Sequence, residues 1–176
     1  MQLNVLQELR HNLGSVTTYD VTEPSVPIDG STKLNGLSGT LTLLRTDRGL
    51  LATIKMTASE SERCARCLIE TDCSVQMEFE EEFIAVVDPN TGARVHLSKD
   101  EEAFRIGPDF VLDLREPIRQ YGLMAEPLKP LCLPDCAGLC PSCGSNLNEG
   151  ACGCAPAVDQ RLSVLAGIDV TDEKGK

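Results

Sequence analysis

Tryptophan is absent, and the only aromatic residues are two Tyr and four Phe in 176 residues. A nucleic-acid surface built on base stacking has little material here. Histidine is almost missing, with His11 and His96 alone. Both are expected to be surface residues, not ligands or general bases. No Ser/His/Asp array, Gly-rich phosphate loop or HExxH occurs, so none of the common catalytic signatures is present. Positive charge is in deficit: 16 Lys+Arg stand against 27 Asp+Glu, for a net charge of -11. Such a chain repels phosphate, which disfavours broad electrostatic binding to DNA or RNA and points to a basic partner. No uncharged apolar run of about 18 residues exists, so no membrane span is expected. The start, Met1 to Glu8, lacks both the basic residues and the apolar run of a signal peptide, and a cytoplasmic location is the expectation.

What is present is alternation, then cysteine. Residues 15–21 are rich in β-branched and aromatic types, and Pro24 and Pro27 are expected to break that strand. Leu37, Gly39, Leu41 and Leu43 alternate with Ser38, Thr40 and Thr42, the period of a half-buried strand. Thr46-Asp47-Arg48-Gly49 reads as a hairpin turn into a returning strand with Ala52, Ile54 and Met56 on one face. The clearest strand is 73–80, with Cys73, Val75, Met77 and Phe79 inward, and it can continue through 83–87. Its other face carries Glu78, Glu80 and Glu82, read as a solvated acidic face or, more sharply, a docking stripe for a basic protein. Residues 88–109 read as an irregular surface loop, and 110–112 as a short strand. A helix is expected over 113–128, with Leu114, Ile118, Tyr121, Met124 or Ala125, and Leu128 at helical spacing, Asp113 capping, Glu116 completing a capping box and Pro117 in the first turn. A second helix is expected over 156–167, with a frayed tail after it.

Nine cysteines are many for a chain expected in the cytoplasm, and their clustering favours metal over disulfides. Eight fall into close pairs: Cys64-x2-Cys67, Cys132-x3-Cys136, Cys140-x2-Cys143 and Cys152-x-Cys154. Tetrahedral zinc takes four thiolates at ~2.3 Å, usually as two short-spaced pairs on tight turns. Turn-forming residues follow as that geometry needs, in Cys143-Gly144-Ser145-Asn146 and Cys152-Gly153-Cys154. One or two structural zinc ions are therefore expected. The preferred grouping is Cys140, Cys143, Cys152 and Cys154 on one ion and Cys64, Cys67, Cys132 and Cys136 on the other. A second grouping joins Cys132, Cys136, Cys140 and Cys143 and leaves Cys64 and Cys67 to Cys152 and Cys154. Spacing does not choose between them. Cys73 is left over and reads as a small core residue.

Two segments resemble the YceD-like family, which is linked to accumulation of large-subunit ribosomal RNA in bacteria and plastids. One is Cys64-Ala65-Arg66-Cys67-Leu68 with Phe79-Glu80-Glu81-Glu82-Phe83. The other runs from Leu131 through Cys143-Gly144 to Asn146-Leu147-Asn148-Glu149-Gly150 and Cys152-Gly153-Cys154, with Asp159-Gln160-Arg161 to Leu165 resembling the closing helix. The likeness covers most of the chain, from Gln2 onward. It implies a ribosome-biogenesis factor. In the family, members that keep the first knuckle and a Cys/His pair near 132–136 without the later four Cys favour the first grouping.

The expected architecture is α+β: a β-rich body over 1–130 with an antiparallel sheet and the helix near 113–128, a Cys-rich zinc segment over 131–155, and a short helix and tail over 156–176. The expected function is support of large-subunit (23S) rRNA maturation or accumulation by binding, with no catalytic residues and no small-molecule substrate. The expected partner is a basic ribosomal protein or assembly factor, with any rRNA contact confined to Arg63, Arg66 and Lys129. The alternative is a redox- or zinc-responsive regulatory protein whose thiolates release metal on oxidation. A hydrolase working through Glu80 and Glu82 is a third, weaker reading.

Overall fold

The computed structural model of the chain describes residues 1–30, 32–95 and 103–155, together with 161, 162 and 165. Its centre is a five-stranded sheet in the order β2-β3-β4-β5-β6. The strands are β2 (Val16–Pro27), β3 (Lys33–Arg45), β4 (Gly49–Arg63), β5 (Glu70–Ala85) and β6 (Phe104–Ile106). β2 to β5 form an antiparallel meander, and β6 joins β5 in parallel through Phe83–Ala85. A two-stranded antiparallel sheet pairs β1 (Gln2–Asn4) with β7 (Val111–Asp113). Helix α1 (Leu6–Arg10) follows β1, and α2 (Arg115–Ala125) follows β7. The molecule is α+β, as the strand alternation and the helix expected near 113–128 predict.

Period-2 alternation sets the two faces. Leu41, Leu43, Ala52, Ile54, Met56, Val75, Met77 and Phe79 point to one side and are buried. The other face carries Thr42, Thr53, Lys55, Thr57, Gln76, Glu78 and Glu80, which are exposed or half-exposed. Helix α2 covers the buried face. Tyr121 stacks on Phe79 with ring centroids 4.0 Å apart, and its hydroxyl donates to Glu81 Oε1 at 2.7 Å. Arg45 ties α1 to the β3–β4 turn by donating to the carbonyls of Leu9 (2.8 Å) and Gly49 (2.9 Å).

Three expectations need correction. β2 does not break at Pro24. It runs on to Pro27, because an edge strand leaves one side of its backbone unpaired and a missing N–H there costs nothing. The segment 88–109 is not wholly irregular, since Phe104–Ile106 forms β6. The capping box does not form. Asp113 accepts from the Arg115 backbone N–H (3.0 Å) and pairs with the Arg115 guanidinium, while the cap position is Leu114. Glu116 turns forward to Arg119 (2.9 and 2.6 Å) and Gln120 (2.9 Å). The short β1 and α1 had no sequence prediction. His96, with the rest of 96–102 of the expected loop, and the tail 171–176 lie outside the described residues. So does the expected helix over 156–167, apart from Arg161, Leu162 and Leu165. No helix among the described residues is long and apolar enough to cross a membrane.

Candidate metal centres

The Cys64 and Cys140 pairs are built on the same turn. In the first, Cys64 N–H donates to the Ile69 carbonyl (2.9 Å) and Leu68 N–H to the Cys64 carbonyl (2.9 Å). In the second, Cys140 N–H donates to Ser145 O (2.8 Å) and Gly144 N–H to Cys140 O (2.9 Å). Both turns need a left-handed residue just after the second cysteine. Gly144 takes it at φ 74 without cost, whereas Leu68 takes it at φ 62. Successive amides of such a turn point at sulfur. Ser142 N–H lies 3.4 Å from Cys140 Sγ.

The eight paired thiols gather into two groups: Cys64, Cys67, Cys132 and Cys136 in one, Cys140, Cys143, Cys152 and Cys154 in the other. Within each, all the sulfurs lie within 4.8 Å of one another. Cys64 and Cys136 are 3.8 Å apart and Cys67 and Cys132 3.5 Å apart. Four sulfurs at ~2.3 Å from a tetrahedral ion are separated by roughly 3.8 Å. A disulfide needs ~2.05 Å, and all nine cysteines are unbridged. The spacing and the all-thiol donor set therefore fit a four-coordinate metal, and either group can hold one. Of the two groupings open from spacing, the structure brings together the first.

The first site joins distant parts of the chain. Ala65 N–H donates to Pro130 O (2.8 Å), and Arg66 Nη1 donates to Cys136 O (2.8 Å). Cys64, Cys67 and Cys136 are buried, with Leu131 and Leu139 packed on them. The second site is local and open: Cys143 and Cys154 are exposed. Electrostatics divide each group. Backbone N–H groups of Cys67 and Cys132 aimed at Cys64 pull its thiol down to about 5, while burial, then hydrogen bonding to Cys67, pushes Cys132 up to about 12. In the second group the Ser145 hydroxyl and backbone N–H pull Cys143 down to about 6, and hydrogen bonding to Cys143 and Cys152 pushes Cys154 up to about 11. Backbone and hydroxyl donors thus favour the thiolate at one cysteine of each group, and a metal would displace the protons that remain.

Sequence reasoning missed Asn148. It sits on the loop between Cys143 and Cys152, yet its side-chain amide donates to Cys136 Sγ of the first site (3.3 Å). Its Oδ1 accepts from Ala137 N–H (2.8 Å). Burial alone would push the Cys136 thiol up; the Asn148 amide and the Gly138 N–H outweigh it and bring it down. No spacing rule marks an asparagine as a thiolate partner.

The other candidates fall apart as a site. Cys73 is half-buried at the margin of the core, not inside it. His11 lies exposed at the end of α1. Glu78 pairs with Lys55 (2.5 Å), Glu82 with Arg48 (3.0 Å), and Glu80 accepts from the Thr53 hydroxyl (2.9 Å). Of the basic trio, Arg63 and Lys129 are exposed, and Arg66 is committed to Cys136 O. A cleft of about 450 Å³ gathers three other arginines, Arg105, Arg115 and Arg119. Two of them are neutralised by Asp113 and Glu116.

Residues 52–169 match the family described as Large ribosomal RNA subunit accumulation protein YceD. The match holds both thiol groups. The chain is also similar to the uncharacterized protein Rv2926c of Mycobacterium tuberculosis, at 36% identity over 96 residues, covering 54% of this chain and 44% of that protein. The uncharacterized protein Mb2951c of Mycobacterium bovis matches equally. A chloroplastic maize protein, Large ribosomal RNA subunit accumulation protein YCED homolog 1, is 39% identical over 61 residues, or 34% of this chain and 21% of that protein. The matched stretches thus span less than half the length of these relatives. No solved structure matches.

Proposed function

Because the chain belongs to the YceD family of large ribosomal RNA subunit accumulation proteins, we propose that it supports maturation or accumulation of 23S rRNA in the cytoplasm by binding, not by catalysis. The observation that carries the mechanism is the pairing of Cys64 and Cys67 with Cys132 and Cys136 across the fold. Zinc there staples the end of β4 to the segment beyond α2. A second zinc at Cys140, Cys143, Cys152 and Cys154 orders the Cys-rich segment. The metal supplies fixed geometry; closed four-thiolate sites leave no open position for substrate. The acidic surface takes a basic ribosomal protein or assembly factor, and direct rRNA contact is secondary.

Two measurements test this. Metal analysis of the purified chain should give two zinc ions per molecule. Sucrose-gradient profiles of depleted cells should show loss of large subunits, with the tagged protein sedimenting with their precursors. An unchanged profile would remove the biogenesis role. The exposure of Cys143 and Cys154 favours one second reading, a zinc- or redox-responsive regulator. Mild peroxide should then eject metal from the second site and change partner binding; retention of both metals would exclude it.

A further inference from the structure

The two edges of the large sheet are built differently. β2, at one edge, carries Pro24, Pro27 and the loop to β3. Prolines blunt an edge by removing pairing groups. β5 lies next to the other edge. On its β4 side it is paired along its whole length, from Arg63↔Glu70 to Gly49↔Ile84, without a register shift. On its other side only Phe83, Ile84 and Ala85 are paired, to β6. Among the described residues, no backbone group from 70 to 82 makes a hydrogen bond on that side. At ~3.4 Å per residue this edge, unpaired among the described residues, is roughly 40 Å long. It contains neither proline nor glycine.

Its charge has one sign. Glu70, Asp72, Glu78, Glu80, Glu81 and Glu82 lie on it, with no Lys or Arg. Lys55 and Arg48 answer Glu78 and Glu82. Glu70, Asp72 and Glu80 carry no ion pair among the described residues. Like charges directly opposite each other destabilise a strand pair, and opposite charges stabilise it. A second copy of this edge is therefore repelled, as is the phosphate backbone of RNA. A strand with Lys or Arg at alternate positions is admitted.

We propose that positions 70–82 of β5 seat an extended Lys/Arg-rich segment of a partner protein, added to the sheet as a further strand. Backbone pairing supplies affinity, and the acidic row selects the occupant. This rests on the reading of the chain as a factor that binds a basic partner, and it gives that partner a place and a conformation.

The test uses the full, zinc-loaded chain and a fluorescein-labelled peptide of alternating Lys and Thr, about twelve residues to span the edge. A twin peptide, N-methylated at alternate residues, keeps the charge and cannot complete a ladder. Anisotropy should show the twin binding at least about tenfold more weakly. Amide exchange should slow at 70–82 with the parent peptide alone. The Glu78→Lys/Glu80→Lys chain should lose about tenfold in affinity. Both residues are exposed, so circular dichroism and metal content should be unchanged; Glu80→Gln, a milder variant, should fall between. Equal binding of the two peptides, protection away from β5, or slowed exchange at 70–82 by an RNA oligonucleotide would each overturn the proposal. Depletion and gradient profiling judge the biogenesis reading separately, since the peptide result does not depend on them.

Discussion

Glu60 is a carboxylic acid on the inward face of β4, 1% exposed, with neither oxygen hydrogen-bonded among the described residues. Burial first, then the charges of Glu126, Glu62 and Asp29, push its carboxyl up to about 7. Its native value thus lies above the unfolded one of ~4.3. The folded chain holds a proton that the unfolded chain releases, so the contribution is full below the unfolded value and lost as pH rises through 7. Glu60→Gln should remove that loss, gaining on the order of 2 kcal/mol over the natural chain at pH 8 and little at pH 5. Urea unfolding of both proteins at the two pH values reads the difference directly. Leu68 offers a second residue-scale prediction. Its left-handed backbone costs ~1–2 kcal/mol, and its side chain is 60% exposed, so little burial offsets it. Leu68→Gly should stabilise by about 1 kcal/mol after the extra entropy of glycine in the unfolded chain. Leu68→Ala keeps a Cβ and should not.

At the scale of elements, the loop between Cys143 and Cys152 touches both candidate metal centres. Asn148 reaches from it to Cys136, while Leu147 N–H donates to Gly138 O at 2.8 Å. Partners that orient a metal ligand typically matter by ~10–100-fold in affinity. Asn148→Ala should therefore speed zinc loss from the first site by about tenfold, although Asn148 belongs to the loop of the second. Release into a chromogenic chelator, with the second site removed by Cys140→Ser/Cys143→Ser in both backgrounds, measures it. Helix α2 packs through an aromatic contact with β5 as well as through buried Ile118. Tyr121→Ala removes the Phe79 stack and leaves Glu81 without its hydroxyl partner. It should cost about 3 kcal/mol, and Tyr121→Phe about 1, by denaturant unfolding.

For the whole molecule, the two sites differ in what they close. The first joins positions 65 apart in sequence, Cys67 and Cys132. By the chain-entropy argument, closing such a loop constrains the unfolded state by about 4 kcal/mol, and a local site contributes less. Cys64→Ser should lower the thermal midpoint far more than Cys154→Ser. A chelator titration followed by calorimetry should show the exposed second site emptied first with the β body still folded, then loss of the first site together with the main transition.

Elements whose physics is local could be read from the order of residues alone. Alternation of apolar and polar residues marked β3, β4 and β5, because a strand buries every second side chain. Helical spacing from Leu114 to Tyr121 marked α2. The short spacings of the cysteine pairs marked knuckles, because one turn can aim two thiols at one point. Membership of the family, too, was legible in the Cys64 knuckle and the Cys-rich run. Tertiary structure decided what depends on distant parts meeting. It placed Cys132 and Cys136 beside Cys64 and Cys67, a choice that spacing left open. It let β2 pass through Pro24, since only strand order reveals an edge. It started α2 at Arg115 with Leu114 at the cap, which puts Asp113 and Glu116 one place out of register for a capping box and beside Arg115 and Arg119. It set Asn148 against Cys136, buried Glu60 among other acids and, among the described residues, left the acidic edge of β5 unpaired. A charge or an amide carries no local mark of what the fold will place opposite it.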